Sequence, residues 1–263
     1  MGFFESLGRT TMERLKDAHA SFAVFGETLV SLLTLPFHPR SFRFGDAALA
    51  FQRATFDGLP ISTGIGFLLG VILAFQSAAA LKMFGVEVYV ADLLTIGLFR
   101  ELGPLVTAII LAGRSGSAFA AEIGTMKVNE ELDALTTMGL KPVRFLVLPR
   151  VFAACAAMPI LTVFSELAGL IGGSLVLGLM NVPSSVYWAH VTSTANLTMI
   201  SFGLAKGALF GLAVGLIGCS AGMRTKSTAD GVGVSATAAV VGGIVAIAVM
   251  DGLLAVLSYV WEF

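Results

Sequence analysis

Five charged side chains lie within segments of this sequence that are otherwise apolar: Arg100, Glu101, Glu166, Lys206 and Asp251. A charge at the centre of a bilayer costs roughly 2.5 to 3.5 kcal/mol on insertion scales, so such residues face the interior of a helix bundle or a water-filled cavity. The signs of the charges predict that Lys206 pairs with Glu166 or with Asp251. The sequence leaves open which of the two it is.

Arg100 and Glu101 are neighbours in the sequence. On a helix they point about 100° apart, so each is expected to have a different partner. Small residues follow Glu101 at steps of three and four positions, which places them on the same helix face. That face suits either a buried ion pair that holds helices together or the wall of a substrate cavity near the outer leaflet, and both interpretations stay open.

The residues Gly113-Arg114-Ser115-Gly116 match the G-x-S-G pattern of intramembrane serine proteases of the rhomboid type. A serine nucleophile needs a histidine base within hydrogen-bond distance. His190 is the only candidate, and it lies in a predicted outer loop, whereas Ser115 lies toward the predicted cytoplasmic end of its helix. A protease is therefore the weakest of the functional alternatives.

The segment that follows is acidic and amphipathic. Its apolar residues have the spacing of one helix face: Val128, Leu132, Leu135 and Met138. Gly139 is expected to end the helix. We predict a short cytoplasmic helix over about residues 125–139, of the kind that fits a groove on a partner protein.

The composition is that of a membrane protein with several spans. Of the 263 residues, 56% are hydrophobic and 13% are charged, whereas a soluble domain has about 25% charged residues. The formal net charge of −1 gives no indication of nucleic-acid binding. Cys155 and Cys219 lie in apolar runs, which predicts neither a disulfide framework nor a metal site.

The apolar stretches predict an all-α membrane protein with five transmembrane helices. These spans cover about residues 59–78, 93–120, 146–178, 199–222 and 234–260. Residues 59–263 then form one transmembrane domain. Residues 1–58 are predicted to form an N-terminal interfacial region, because residues 9–35 have the periodicity of an amphipathic helix that lies on the membrane surface.

The positions of lysine and arginine predict the orientation. Most of them fall before residue 54, between Arg114 and Arg150, or at Arg224 and Lys226. Five spans place these three regions on the same side of the membrane. Since positive residues favour the cytoplasmic side, the N-terminus is predicted to be cytoplasmic and the C-terminus to face outward.

Span four carries glycines at successive four-residue steps: Gly203, Gly207, Gly211 and Gly215. Glycines at this spacing form a bare ridge that allows another helix to approach closely. The ridge is expected to serve either packing within the chain or a surface against a second copy.

Four runs of the sequence resemble the MlaE permease family of ABC transporters, which work with MCE proteins. They are R-E-L-G-P at 100–104, A-G-R-S-G-S-A at 112–118, A-E-I-G-T-M at 121–126 and E-E-L-D-A-L-T-T-M-G at 130–139. The resemblance implies a homodimeric, multi-pass subunit of the bacterial inner membrane with a periplasmic C-terminus. Its expected function is to move phospholipids between the inner and outer membranes and so to maintain the lipid asymmetry of the outer membrane.

The resemblance also implies the partners. The predicted helix at 125–139 would dock on a separate ATPase similar to MlaF, and an MCE-domain protein similar to MlaD would cover the outer face. The chain itself contains no P-loop motif, so it is expected to be non-catalytic and to hold no cofactor, with ATP and magnesium on the ATPase. The residues expected to couple to the ATPase are Glu122, Lys127, Glu130, Glu131, Asp133 and Gly139.

In this family the lipid cavity lies between two copies and is lined mainly by spans one and two. The resemblance places its wall at Leu73, Gln76, Ala80, Leu81, Phe84, Arg100 and Glu101. Apolar residues suit acyl chains, and Arg100 suits the phosphate of a headgroup. The main alternative is an ion-coupled secondary transporter or channel, which would use the intramembrane charges and need no ATPase.

Overall fold

The computed structural model describes residues 26–28, 30 and 43–260. Five of its helices are long and apolar enough to cross a membrane: α1 Phe44–Leu81, α2 Glu87–Val128, α4 Val143–Leu179, α6 Leu197–Met223 and α7 Ala229–Val260. Two shorter helices lie in connections: α3 Glu131–Thr137 and α5 Ser184–Thr194. The described residues contain no strand, and the prediction of an all-α membrane protein with five spans is confirmed.

The helices extend beyond the predicted spans, because hydropathy marks only the apolar part of a helix. α1 begins at Phe44 and passes through Pro60 without a break, so the boundary predicted between residues 58 and 59 does not coincide with a structural boundary. Neighbouring helices allow a transmembrane helix to tolerate an interior proline. The predicted interfacial helix over residues 9–35 falls outside the described residues, apart from residues 26–28 and 30, which are helical.

The prediction of a single helix over residues 125–139 is wrong. α2 continues to Val128, and Glu130 then takes a left-handed backbone conformation with φ 62°. α3 follows, and Gly139 ends it with φ 76°, a conformation that glycine adopts without strain. The apolar residues keep their helical spacing across the turn at Glu130, so the periodicity alone does not show that the helix is broken there.

α5 is fixed to the bundle by Tyr187. This side chain is 0% exposed, and its hydroxyl donates to the Leu170 backbone oxygen of α4 at 2.8 Å. Burial of the hydroxyl raises the pKa of Tyr187, because the charged form would lose its hydration. α5 therefore has a fixed place at one end of the bundle, close to the beginning of α2 and α6.

α1 and α4 meet backbone to backbone through small residues. A methyl group on Gly70 would overlap the Gly169 carbonyl oxygen, and one on Gly66 would overlap that of Ser165. Gly64, on the same helix, has no other atom within 4 Å of such a methyl group. The first span is thus fitted to the third at glycine positions that leave no space for a side chain.

Gly70→Ala is expected to lower the stability of the protein, whereas Gly64→Ala is not. Overpacking of this kind costs about 1 to 3 kcal/mol, and alanine at the open position favours the helix by about 1 kcal/mol. Thermal unfolding of the two variants in the same detergent measures the difference. Equal midpoints for the two variants would contradict the close approach of α1 and α4.

The glycine ridge of span four packs within the chain. A methyl group on Gly203 would overlap the Phe99 carbonyl oxygen of α2, and one on Gly211 would lie 2.5 Å from the Ala154 carbonyl oxygen of α4. Of the two roles expected for the ridge, packing within the chain is the one that the structure shows.

Candidate functional site

The bundle buries one lysine between two carboxylates. The Lys206 side chain is 0% exposed, its Nζ lies 2.6 Å from Asp251 Oδ1, and it also donates to Glu101 Oε2. The same ammonium lies 3.5 Å from the backbone oxygen of Arg100, to which it donates. These contacts join α2, α6 and α7 in a charged triad of Glu101, Lys206 and Asp251.

Two local features bring the triad together. Residues Leu98–Leu102 of α2 form a π-helical turn, and such turns are frequent at functional sites. Gly203 lies against this turn and has no side chain that would separate α6 from Phe99. Because α6 approaches α2 so closely here, Lys206 reaches Glu101 on the neighbouring helix.

Glu166 is a buried carboxyl group that does not pair with Lys206. It is 1% exposed and packs against Gly103, where a methyl group would lie 2.8 Å from its Oε1. Within the described part of the chain, Glu166 Oε2 has no hydrogen-bond partner. Of the two carboxylates that the sequence offered to Lys206, the structure therefore selects Asp251.

Arg100 has a different partner from Glu101, as their angular separation predicted. Its Nη2 donates to Ser258 Oγ at 3.0 Å, and no carboxylate in residues 43–260 forms an ion pair with it. Arg100 borders a cavity of about 490 Å³. The other lining residues are Ile96, Thr194, Asn196, Thr198, Met199 and Phe202. The cavity thus combines a cation that no described carboxylate compensates, polar side chains and apolar surface.

Five of the predicted lipid-cavity residues lie along the end of α1 and directly after it. Gln76, Ala80 and Phe84 are exposed, whereas Leu73 and Leu81 are half-buried. None of these five borders the cavity beside Arg100. The structure describes one copy, so a cavity between two copies that unites these residues with Arg100 and Glu101 stays a prediction.

Further along α2, ion pairs connect it to α1 and α4. Arg114 Nη2 lies 2.8 Å from Asp57 Oδ2, and Arg150 Nη2 lies 3.0 Å from Glu122 Oε2. Arg53 Nη1 lies 3.9 Å from the other carboxylate oxygen of Glu122. These residues surround a second cavity, of about 350 Å³. Glu122, which was expected to couple to an ATPase, makes its contacts within the chain.

Of the other predicted coupling residues, Lys127 also makes a contact within the chain, whereas three carboxylates are exposed. Lys127 Nζ donates to the backbone oxygen of Met223 at 2.7 Å, so this side chain also holds helices together. Three carboxylates are exposed around α3: Glu130, Glu131 and Asp133. We call residues 130–137 the acidic segment. It is the part of the predicted coupling region that is available to a partner.

The structure does not bring His190 and Ser115 together. His190 Nδ1 lies 3.0 Å from Asp92 Oδ2, and Thr194 Oγ1 donates to Asp92 Oδ1 at 2.5 Å. Because a helix rises about 1.5 Å per residue, Asp92 and Ser115 lie roughly 35 Å apart along α2. His190 therefore does not serve as the base for a Ser115 nucleophile. The link to Asp92 was not predicted, since the two residues are 98 positions apart.

The cysteines do not form a site. Cys219 is buried, Cys155 is partly buried, and both are free. Among the residues that the structure describes, no group of three His, Cys, Asp or Glu side chains is placed to hold a metal ion.

Comparisons with known proteins agree on one kind of membrane protein. The sequence profile of a family described as Permease MlaE matches residues 49–257. A probable ABC transporter permease protein of Rickettsia felis is 34% identical over 263 residues, covering 97% of this chain and 96% of that protein. The intermembrane phospholipid transport system permease protein MlaE of Haemophilus influenzae is 33% identical over 196 residues, covering 74% of this chain and 75% of that protein. The chloroplast protein TRIGALACTOSYLDIACYLGLYCEROL 1 of Arabidopsis thaliana is 33% identical over 200 residues, covering 74% of this chain and 57% of that protein.

Proposed function

Because the chain belongs to the MlaE permease family, we propose that it is the membrane subunit of an ABC transporter that moves phospholipids between the inner and outer membranes of a bacterium. In this role it maintains the lipid asymmetry of the outer membrane. The observation that carries the choice of substrate is the guanidinium of Arg100, which borders a cavity and has no carboxylate partner among the described residues.

The cavity has the chemistry that a phospholipid headgroup region requires. A guanidinium binds a phosphate through two parallel hydrogen bonds, and Arg100 uses one of its donors on Ser258. Thr194, Asn196 and Thr198 add polar groups to the lining, whereas Met199 and Phe202 provide apolar surface. A cavity with one charge, a few polar groups and an apolar remainder suits an amphipathic anion.

The energy source is a separate ATPase that binds the acidic segment. Glu131 and Asp133 are exposed at the start of α3, and Leu132 between them is buried and anchors the helix. A short helix that is anchored on one side and charged on the other fits a groove with basic residues on a partner. ATP and magnesium are held by that partner, and this chain acts as the non-catalytic permease.

The remaining partners follow from the family. Two copies of the chain form the permease, with the wall at Leu73, Gln76, Ala80, Leu81 and Phe84 between them, and an MCE-domain protein binds at the end of the bundle where Arg100 lies. The acidic segment then faces the cytoplasm, and the C-terminus of α7 faces the periplasm. This orientation agrees with the concentration of lysine and arginine near the acidic segment.

ATP-dependent transfer of labelled phospholipid by the reconstituted complex tests the proposal. Arg100→Gln is expected to lower the transfer rate about 10- to 100-fold, because hydrogen bonds to a charged group contribute about 1.5 to 3 kcal/mol. Arg100→Lys is expected to retain part of the rate, since it keeps the charge and loses the paired hydrogen bonds.

Arg144→Gln is the matched control, because Arg144 is exposed on α4, away from the cavity. A transfer rate in Arg100→Gln equal to that of the control would contradict the proposal that the cavity binds the phospholipid headgroup. The charged triad favours a second candidate, an ion-coupled transporter. Lipid or solute transfer that an ion gradient drives in the absence of ATP would support this alternative and contradict an ABC transporter.

A further inference from the structure

The end of α2 is bound to the end of α6 immediately before the acidic segment begins. Lys127 lies in the last turn of α2, and its ammonium donates to the backbone oxygen of Met223, the last residue of α6, at 2.7 Å. The last carbonyl groups of a helix have no partner within the helix and carry a partial negative charge. Lys127 thus supplies the α6 terminus with a hydrogen bond and a compensating charge.

α2 and α6 have no free space between them over the same stretch. A methyl group on Gly218 would lie 2.6 Å from the Gly116 carbonyl oxygen, and one on Gly222 would lie 2.8 Å from the Ala120 carbonyl oxygen. These contacts set the separation of α2 and α6 over this stretch, because neither backbone can approach the other more closely. Lys127 adds a polar contact between the last turns of the two helices, and through it a displacement of the end of α2 can be passed to α6.

The beginning of α7 is tied to the same place. Thr225, which is 1% exposed, donates through its hydroxyl to Ser235 Oγ of α7 at 2.8 Å. On its other side, a methyl group on Gly124 of α2 would lie 2.6 Å from Thr225 Oγ1. The connection between α6 and α7 is thus held between α2 and α7 and has a defined position relative to the acidic segment.

The charged triad lies at the far ends of the same helices. Lys206 is on α6, roughly 25 Å from Met223 at 1.5 Å per residue, and its ammonium contacts Asp251 on α7 and Glu101 on α2. The three helices are therefore joined twice, by Lys127 and Thr225 at one end and by Lys206 at the other.

We infer that Lys127 is a positioning residue that transmits movement of the acidic segment to α6 and α7, and through them to the charged triad beside the Arg100 cavity. This inference rests on the proposed function, in which an ATPase binds the acidic segment. Lys127 itself does not contact the ATPase or the lipid. Loss of the Lys127 ammonium leaves the ATPase bound to the acidic segment and uncouples ATP hydrolysis from lipid transport.

The experiment compares Lys127→Met with Lys127→Arg in the complete complex with its ATPase. We expect Lys127→Met to keep the ATPase bound and hydrolysing ATP while the lipid transferred per ATP falls about 5- to 20-fold, within the range of coupling between two sites. Lys127→Arg keeps a long cationic donor and is expected to restore most of the transfer. Lys141→Met is the matched control, since Lys141 is exposed and its side chain forms no hydrogen bond or ion pair in residues 43–260.

Hydrogen exchange supplies a readout that a purely structural role of Lys127 would not change. In the wild-type complex, trapping the ATPase with ADP and vanadate is expected to alter amide exchange in residues 131–137 and in residues 219–226. In Lys127→Met the response of residues 131–137 should remain, and the response of residues 219–226 should be lost. Exchange reports on this step even if Lys127→Met lowers overall stability, because each variant is compared with itself with and without vanadate.

Two results would overturn the inference: a response of residues 219–226 that persists in Lys127→Met, or loss of the bound ATPase in that variant, which would make Lys127 a docking contact. A wild-type complex that responds to vanadate at residues 219–226 but transfers no phospholipid would contradict the proposed substrate and support the role of Lys127. The two proposals therefore fail separately.

Discussion

Lys206→Met is expected to destabilise the protein by about 3 to 5 kcal/mol, the usual effect of removing one partner from a buried ion pair. The substitution leaves the partly buried carboxylates of Glu101 and Asp251 close together, without a cation between them. Thermal unfolding of the purified chain in mild detergent measures the change, and a fall in the midpoint of several degrees is expected.

A second variant separates lost charge compensation from lost packing. Lys206→Met combined with Glu101→Gln and Asp251→Asn has no net charge in the triad, so it is expected to recover most of the stability. Lys82→Met is the control, because Lys82 is exposed in the turn after α1. The assignment of Lys206 as the charge that stabilises the triad is wrong if Lys206→Met unfolds at the wild-type temperature or if the triple variant is less stable than the single one.

Reversing the charge of the acidic segment is expected to release the ATPase. Glu131→Lys with Asp133→Lys places two cations where two exposed carboxylates lie, and like charges across an interface cost several kcal/mol. The affinity should fall by about 100-fold or more, since each 1.4 kcal/mol is a factor of ten. Co-purification of the ATPase with the tagged permease measures the effect.

Glu87→Lys serves as the matched charge reversal, since Glu87 lies at the opposite end of α2. It should leave the amount of bound ATPase unchanged, and the fold of the two variants can be compared by their unfolding midpoints. Full co-purification of the ATPase with the doubly reversed variant would place its docking surface elsewhere on the chain.

The sequence predicted the long helices well because they depend on local properties. Apolar length and the grouping of lysine and arginine are visible without tertiary structure. The different partners of Arg100 and Glu101 were also predicted, because their separation on a helix follows from backbone geometry.

The partners of the charged residues could not be predicted from the sequence. Both Glu166 and Asp251 had the correct sign for Lys206, and only the packing of α6 against α7 shows that Asp251 is the partner. Lys127 and Met223 are 96 positions apart, and no periodicity reports such a contact. The turn at Glu130 was missed because the apolar spacing continues across it.

The roles assigned to individual residues remain predictions for a related reason. The predicted wall of the lipid cavity requires a second copy of the chain, and the predicted docking role of the acidic segment requires an ATPase. The wall consists of Leu73, Gln76, Ala80, Leu81 and Phe84. In the single chain, Gln76, Ala80, Phe84 and the carboxylates of the acidic segment are exposed, whereas Leu73 and Leu81 are half-buried. Both roles are tested in the complex of the complete transporter.

Purification of the tagged chain from its native membranes in mild detergent, with native mass spectrometry of every protein and lipid that accompanies it, tests whether the chain is the permease of a phospholipid ABC transporter. We expect a particle with two copies of the chain, an ABC ATPase, an MCE-domain protein and bound phospholipid. Recovery of the chain without an ATPase in several detergents, together with transport driven by an ion gradient alone, would contradict the role of an ABC permease.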